Sequence, residues 1–188
     1  MSEELSCCFI GHRVIEVTDE LVSRLFSEAE KLILSGVTRF LFGTRSDFNS
    51  LCHKVISELK GKYPQVVRIA YTSFHEAVVL QDEAKRYEST MSLLLHRDVH
   101  LEGYEEEVTP EALRKSGKAT YIERNQMMID AADYCVFYYD ENYRPKRREL
   151  SRKFLHNTLS SERSGTELAY RYALRKKKNI INVFSKFR

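Results

Sequence analysis

Short apolar runs alternate with longer amphipathic segments along most of the chain, and this alternation most restricts the fold. The apolar runs are rich in β-branched and aromatic residues, as strands buried on both faces are. The segments between them repeat apolar residues at intervals of three and four, which predicts helices with one buried side. Strands joined by helices form parallel sheets with right-handed crossovers. We therefore predict an α/β fold, doubly wound, with a mainly parallel, Rossmann-like sheet of about five strands at residues 6–10, 37–42, 66–71, 134–139 and 180–184.

Short polar side chains lie where each helical pattern begins. Their oxygen atoms can accept hydrogen bonds from backbone N–H groups that have no partner within the helix. The predicted caps are Thr18 or Asp19, Ser46 or Asp47, Thr120, and Ser164. Thr120 and Ser164 are each followed three residues later by a Glu, which is the spacing of a capping box. Local chemistry thus predicts where four helices begin.

Two segments break the alternation. Residues 72–118 have only partial helical spacing and include four Glu residues at 101–108, and we predict an irregular insertion that covers one edge of the sheet. Residues 141–163 are rich in Lys and Arg, and we predict a basic loop; loops of this length are commonly functional. With 188 residues, the chain suits a single compact domain, 1–188.

The composition argues against several classes of protein. Thirty basic and 27 acidic residues give a net charge of +3, which is too balanced to indicate nucleic acid by itself. No apolar run approaches the roughly 20 residues that span a bilayer, and the N-terminus lacks a signal-peptide pattern. The four cysteines include no CxxC pair, and no His, Cys and carboxylate cluster has metal-ligand spacing. We expect a cytoplasmic protein with no membrane partner, disulfide, metal or cofactor.

Polar turns and helix starts are predicted to meet at one edge of the sheet, because ligands of open parallel sheets bind beyond the carboxyl ends of the strands. Helix N-termini and arginines suit phosphate. We therefore predict a site for an anionic, nucleotide-like small molecule. Each element also has a structural explanation, since glycine often serves only as a turn. The candidate ligand-binding residues are Gly11, His12, Arg13, Gly43, Thr44, Arg45, Arg124, Asn125, Ser164, Gly165 and Thr166.

Four short motifs in this order resemble the SLOG superfamily, most closely its YpsA-like branch. They are GHR at 11–13, a glycine turn before Asp47 and Phe48, RN at 124–125 ahead of ADYCVFYYD, and SGT at 164–166. The resemblance covers nearly the whole chain and implies a Rossmann-like fold related to the LOG phosphoribohydrolases and to DprA. It implies a sensor or regulatory module that binds a nucleotide or an ADP-ribose-like ligand.

The resemblance leaves two other functions open. A LOG-like hydrolase of the N-glycosidic bond of nucleoside monophosphates would use Glu167 or Asp140 as acid or base, with Arg124 nearby. Glu167 directly follows Thr166, whereas the LOG enzymes carry this Glu two positions later, and that shift turns the carboxylate about 200° away.

Single-stranded nucleic-acid binding of the DprA type is the second alternative, motivated by the basic residues at 144–153. Few aromatic residues are interleaved with these charges, so the sequence argues against nucleic acid as a partner. We expect a nucleotide-like small molecule instead, and self-association into a homo-oligomer is left open.

Overall fold

Six strands and four helices make up the part of the chain that the computed structural model describes, residues 4–43, 46–72, 103–108, 118–143 and 164–185. The strands form one parallel sheet in the order β4-β3-β2-β1-β5-β6, which confirms the predicted Rossmann-like α/β class. In chain order the elements are β1 (Leu5–Gly11), α1 (Asp19–Leu34), β2 (Val37–Gly43), α2 (Asp47–Lys62), β3 (Val67–Tyr71), β4 (Glu106–Val108), α3 (Lys118–Ala131), β5 (Tyr134–Tyr138), α4 (Gly165–Arg175) and β6 (Asn179–Asn182).

Helices cover both faces of the sheet, so the inner strands β1, β2, β3 and β5 are largely buried between two apolar layers, whereas the outer strands β4 and β6 are partly exposed. Helices α1 and α2 pack on one face, against side chains such as Phe9, Phe40 and Phe42. Helices α3 and α4 pack on the other face, against side chains such as Leu41 and Phe137. Successive residues of a strand point to opposite faces, and two covered faces therefore require the unbroken apolar runs seen in the sequence.

Three of the predicted helix caps are formed as expected. The hydroxyl oxygens of Thr18, Ser46 and Ser164 accept backbone N–H groups three residues on, at 3.2, 3.0 and 3.0 Å. The prediction for Thr120 is wrong, because α3 already includes Lys118 and Thr120 is buried within its first turn. A Ser or Thr followed by Glu at the capping-box spacing does not distinguish a helix start from a residue one turn inside it.

In the described residues the sheet has six strands, where about five were predicted. Strand β4 lies within the segment predicted as an irregular insertion, and it pairs with β3 at the edge of the sheet. Its acidic residues make ion pairs across the edge: Glu106 with Arg39, and the adjoining Glu105 with Arg68 at 2.6 Å. Because ion pairs and not apolar contacts hold β4 in place, its sequence contains no apolar run, and hydrophobic periodicity could not predict this strand. The rest of that segment, and most of the basic loop, lie outside the described residues.

Candidate functional site

The order of the strands reverses next to β1, where β2 and β5 lie on either side. Ligands of doubly wound sheets bind in the crevice that such a reversal opens at the carboxyl ends of the strands. The residues that border this crevice follow β1 at 11–13, end β2 at Gly43, and follow β5 at 139–143. The structure thus places the GHR motif beside the point where a ligand of this fold class binds.

His12 is buried, with 2% of its surface exposed, and links the ends of β1 and β5. Its Nε2 accepts a hydrogen bond from the backbone N–H of Asp140 at 3.0 Å. A neutral imidazole that accepts at Nε2 carries its hydrogen on Nδ1, and this buried Nδ1 has no hydrogen-bond partner among the described residues. Burial lowers the pKa of His12 to about 4, although Asp140 opposes the shift. The ring is therefore neutral near pH 7 and offers one buried donor.

Tyr143 lies directly on the His12 ring, with the ring centroids 3.8 Å apart and the planes 17° apart. A turn holds Tyr143 in this position. The carboxylate of Asp140 accepts a hydrogen bond from the backbone N–H of Asn142 at 2.9 Å, and the carbonyl of Asp140 accepts one from the backbone N–H of Tyr143 at 3.1 Å. Tyr143 was expected only as part of the basic loop, 141–163, so its contact with His12 was not predicted. The signal was present in Asp140 and Asn142, which both favour turns.

Arg124 extends from α3 across the end of β2. Its side chain is buried, with the residue 5% exposed, and a Cβ atom built on Gly43 would lie 2.9 Å from its Nη2 and 3.2 Å from its Cζ. The guanidinium therefore occupies the space that a side chain at residue 43 would fill. The α3 helix positions this arginine, and the glycine admits it to the edge of the sheet.

Two arginines lie beside the ring of Tyr121. The Cζ of Arg124 is 5.2 Å from the ring centroid, and the Cζ of Arg13 is 5.8 Å from it. Both distances are within the range of cation–π attraction. The carbonyl of Arg13 also accepts the N–H of Asp47 at 2.8 Å, which ties this exposed residue to the start of α2. We refer to Arg13, Tyr121 and Arg124 as the arginine–tyrosine cluster; Tyr121 was not predicted as a site residue.

The turn after β2 is closed by the start of α2. The N–H of Gly43 donates to the side-chain oxygen of Asn49 at 2.9 Å, and the amide nitrogen of Asn49 donates to Ser46 at 2.8 Å. The Gly43 amide thus already has an acceptor within the protein, and Gly43 serves the site by making room for Arg124. The other two candidates in this turn, Thr44 and Arg45, lie outside the described residues.

The start of α4 forms the second part of this edge. A Cβ atom built on Gly165 would meet nothing within 4 Å, and Thr166 is buried beside it. The carboxylate of Glu167 accepts from the side chain of Arg171 at 3.0 Å, one turn further along α4. Burial and the charge of Glu167 raise the pKa of Tyr139, which places this helix start near the end of β5.

Two predicted residues receive less support from the geometry. The missing side chain of Gly11 makes room for Phe48, since a Cβ atom there would lie 2.4 Å from the ring. Asn125 follows Arg124 on α3 and is partly exposed. Of the predicted residues, the structure brings His12, Arg13, Gly43 and Arg124 together around the ends of β1 and β2.

Neither a metal site nor a membrane span emerges from the described ranges. No group of three or more His, Cys, Asp or Glu side chains there could hold a metal ion. No helix there is both long enough and apolar enough to cross a bilayer.

No protein-family model and no curated protein matches this chain. Among solved structures, one match is DNA processing protein A from Helicobacter pylori, a SLOG-family protein described for its single-stranded DNA binding mode. The match has 12% identity and a TM-score of 0.46, and it covers 94% of this chain and 63% of that one. The matched protein is described as binding single-stranded DNA, contrary to the expectation that argued against nucleic acid as a partner.

Proposed function

We propose that this protein is a cytoplasmic, YpsA-like member of the SLOG superfamily that binds a phosphate-bearing, nucleotide-derived ligand at the carboxyl edge of its sheet. The observation that carries the proposal is the arginine–tyrosine cluster, in which two guanidinium groups lie beside one ring at the fold's ligand-binding crevice. Arginine presents a planar set of donors that matches two oxygens of a phosphate.

The burial of Arg124 makes this arrangement suitable for an anion. Its guanidinium is held against Gly43 before any ligand arrives, so little side-chain freedom is lost on binding. Charge interactions are also stronger there than at the protein surface, because less water screens them. Arg13 is exposed and adds a second cation at the mouth of the crevice.

Two further features supply contacts of a different kind. His12 is neutral and offers its buried Nδ1–H, which suits an oxygen of a sugar or base. The open backbone at Gly165 lies at a helix N-terminus, where the partial positive charge favours a second anionic group. A ligand with both a phosphate and a polar sugar would use all of these features.

Single-stranded nucleic acid is the second candidate, favoured by the aromatic rings beside the cations. Tyr121 and Tyr143 are partly exposed at the same edge as Arg13, and aromatic rings next to positive charge are the usual means of binding unpaired bases. A glycosidic hydrolase would need a carboxylate at the ribose, and the carboxylate of Glu167 is engaged with Arg171.

Thermal unfolding with a panel of nucleoside monophosphates, ADP-ribose and a short oligonucleotide tests the proposal. A ligand at about a hundred times its Kd stabilises the folded state by about 2.7 kcal/mol, a readily measured shift. We expect Arg124→Gln to lower affinity about tenfold to a hundredfold, because hydrogen bonds to charged groups contribute about 1.5–3 kcal/mol. Chromatography of the same samples would detect any released base.

Arg175→Gln is the matched control, because Arg175 also lies over a tyrosine, with its Cζ 5.1 Å from the ring of Tyr172, but at the far end of α4. Equal ligand affinity in the two variants would refute the proposal. If Arg124→Gln does not fold, Arg13→Gln tests the exposed member of the same cluster. A steep fall of oligonucleotide affinity with salt would identify nucleic acid as the ligand class.

A further inference from the structure

Two of the four cysteines lie opposite one another in the middle of the sheet. Cys8 on β1 and Cys135 on β5 are register partners across neighbouring parallel strands. Both are fully buried, and both contribute to the apolar layer beneath α3 and α4, so their side chains share one face. Neighbouring strands lie about 4.8 Å apart. This spacing is within the range of about 4.4–6.8 Å that Cα atoms joined by a disulfide adopt.

Each of the two thiols also affects the pKa of the other. A hydrogen bond from Cys8 lowers the pKa of the Cys135 thiol, and burial raises that of Cys8. The ammonium group of Lys178 lies nearby, fixed by the carbonyls of Asp130 and Ala132 at 3.1 and 2.7 Å, and its charge lowers the pKa of Cys135 further. The thiolate is the nucleophilic form of cysteine, and the charge of Lys178 favours that form at this pair.

We propose that Cys8 and Cys135 form a redox-sensitive pair that a hydroperoxide oxidises to a disulfide between β1 and β5. The proposal is independent of the proposed ligand. It concerns the two strands that flank the crevice, because His12 follows β1 and Asp140 follows β5.

The reaction balances in two steps. The sulfur of Cys135 bonds to the terminal oxygen of the hydroperoxide as the O–O bond breaks, giving a sulfenic acid, and the alkoxide leaves as an alcohol with the thiol proton. The sulfur of Cys8 then attacks the sulfur of the sulfenic acid, and the displaced hydroxide leaves as water with the proton of Cys8. The two thiols lose two electrons in total, and the hydroperoxide takes them up.

The other two cysteines provide an internal control. Cys7 and Cys52 are equally buried, and burial holds their pKa values well above the usual value, as it does that of Cys8. Cys7 points to the opposite face of the sheet from Cys8, into the layer beneath α1 and α2 where Cys52 also lies. The structure therefore predicts that oxidation joins the register partners Cys8 and Cys135 and leaves Cys7 and Cys52 as thiols.

The test treats the folded, full-length protein with hydrogen peroxide, unfolds it with a thiol-blocking reagent present, and maps the peptides by mass spectrometry. We expect the wild-type protein to lose the mass of two hydrogen atoms, to yield a peptide crosslinked between Cys8 and Cys135, and to leave Cys7 and Cys52 blocked. Cys8→Ser should stop at the sulfenic acid and gain the mass of one oxygen atom. Cys52→Ser should behave as the wild-type protein does.

Four blocked thiols after peroxide treatment would overturn the proposal, as would equal oxidation of all four cysteines. The wild-type peptide map decides between these outcomes even if a serine variant does not fold. A negative result would leave the ligand proposal untouched, because neither cysteine belongs to the arginine–tyrosine cluster.

Discussion

The two parts of the sheet's carboxyl edge use glycine in different ways. At the ends of β1 and β2, the space next to each glycine is filled: Phe48 occupies it at Gly11, and Arg124 occupies it at Gly43. At the start of α4, the space next to Gly165 is open to beyond 4 Å. One part of the edge is therefore closed by the protein itself, and the other leaves backbone accessible.

The three glycines therefore have three different structural roles, which cannot be distinguished from the sequence alone. Gly11 serves packing, because its neighbour is a fully buried aromatic ring. Gly43 serves the site, because its neighbour is the guanidinium proposed to bind phosphate. Gly165 keeps the backbone at the start of α4 accessible, because a residue without a side chain permits an anion to approach the N–H groups there closely.

Replacement of Gly11 should have the largest effect. In Gly11→Ala, the new Cβ lies 2.4 Å from the Phe48 ring, which is fully buried and has no room to withdraw. We expect a loss of about 3 kcal/mol in the free energy of unfolding, at the upper end for overpacked cores. Urea denaturation measures it, with Gly61→Ala as the control because a Cβ there meets nothing within 4 Å. Equal stability of the two variants would contradict the packing role.

The second-largest effect should come from acidification, which lowers the stability of the fold by protonating His12 in the filled part of the edge. Its pKa is about 4 in the folded state and about 6.5 in the unfolded chain, so the unfolded state binds more protons between these values. The neutral ring makes its full contribution to the free energy of unfolding above pH 6.5, and this contribution is lost as the pH falls to 4. We expect that loss to reach about 3 kcal/mol.

Denaturant unfolding across this pH range would measure the effect, with His12→Gln expected to flatten the profile. His53→Gln is the comparison, since burial also lowers the pKa of His53 but this residue contacts Tyr104, away from β5, and we expect this variant to flatten the profile less than His12→Gln does. Parallel profiles for the wild-type protein and His12→Gln would show that the ring does not stay neutral on folding.

Replacement of Gly43 should separate binding from stability. In Gly43→Ala, the new Cβ lies 2.9 Å from Nη2 of Arg124, the end of a side chain that can shift more easily than a packed ring. We expect a stability loss of about 1 kcal/mol, below that of Gly11→Ala. We expect ligand affinity to fall about tenfold, because the guanidinium is displaced. Titration of the best ligand of the panel measures this, and unchanged affinity would remove Gly43 from the site.

Replacement of Gly165 should have the smallest effect on folding. Gly165→Ala adds a methyl group in open space at a helical position, and we expect a gain of about 0.5 kcal/mol in stability, as for Gly61→Ala. The two alanine variants should differ in binding alone, with Gly165→Ala weaker if an anion approaches this backbone. Identical binding by both would restrict the site to the filled part of the edge.

The local features of the fold could be predicted from the sequence. The caps at Thr18, Ser46 and Ser164 depend on residues only three positions apart, and buried strands such as β5 are unbroken apolar runs. The prediction that Thr120 caps a helix was wrong, because it took a capping motif as sufficient. Strand β4 was not predicted individually, because its segment contains no apolar run.

The candidate site was only partly predictable, because its contacts join residues far apart in the chain. His12 and Arg124 were predicted as site residues, within the GHR and RN motifs at 11–13 and 124–125. Tyr143 and Tyr121 did not, since an aromatic residue near a turn or on a helix has no distinctive pattern. Their importance arises from the partners that β5 and α3 bring to them.

The sequence by itself determined the α/β class, the alternation of strands and helices, and most of the helix starts, because hydrophobic periodicity and capping act over a few residues. Only the tertiary structure decided which turn is filled and which is open, which aromatic ring lies beside two arginines, and which cysteines face each other. Those outcomes depend on strand order and register, which bring residues more than a hundred positions apart, such as Cys8 and Cys135, into contact.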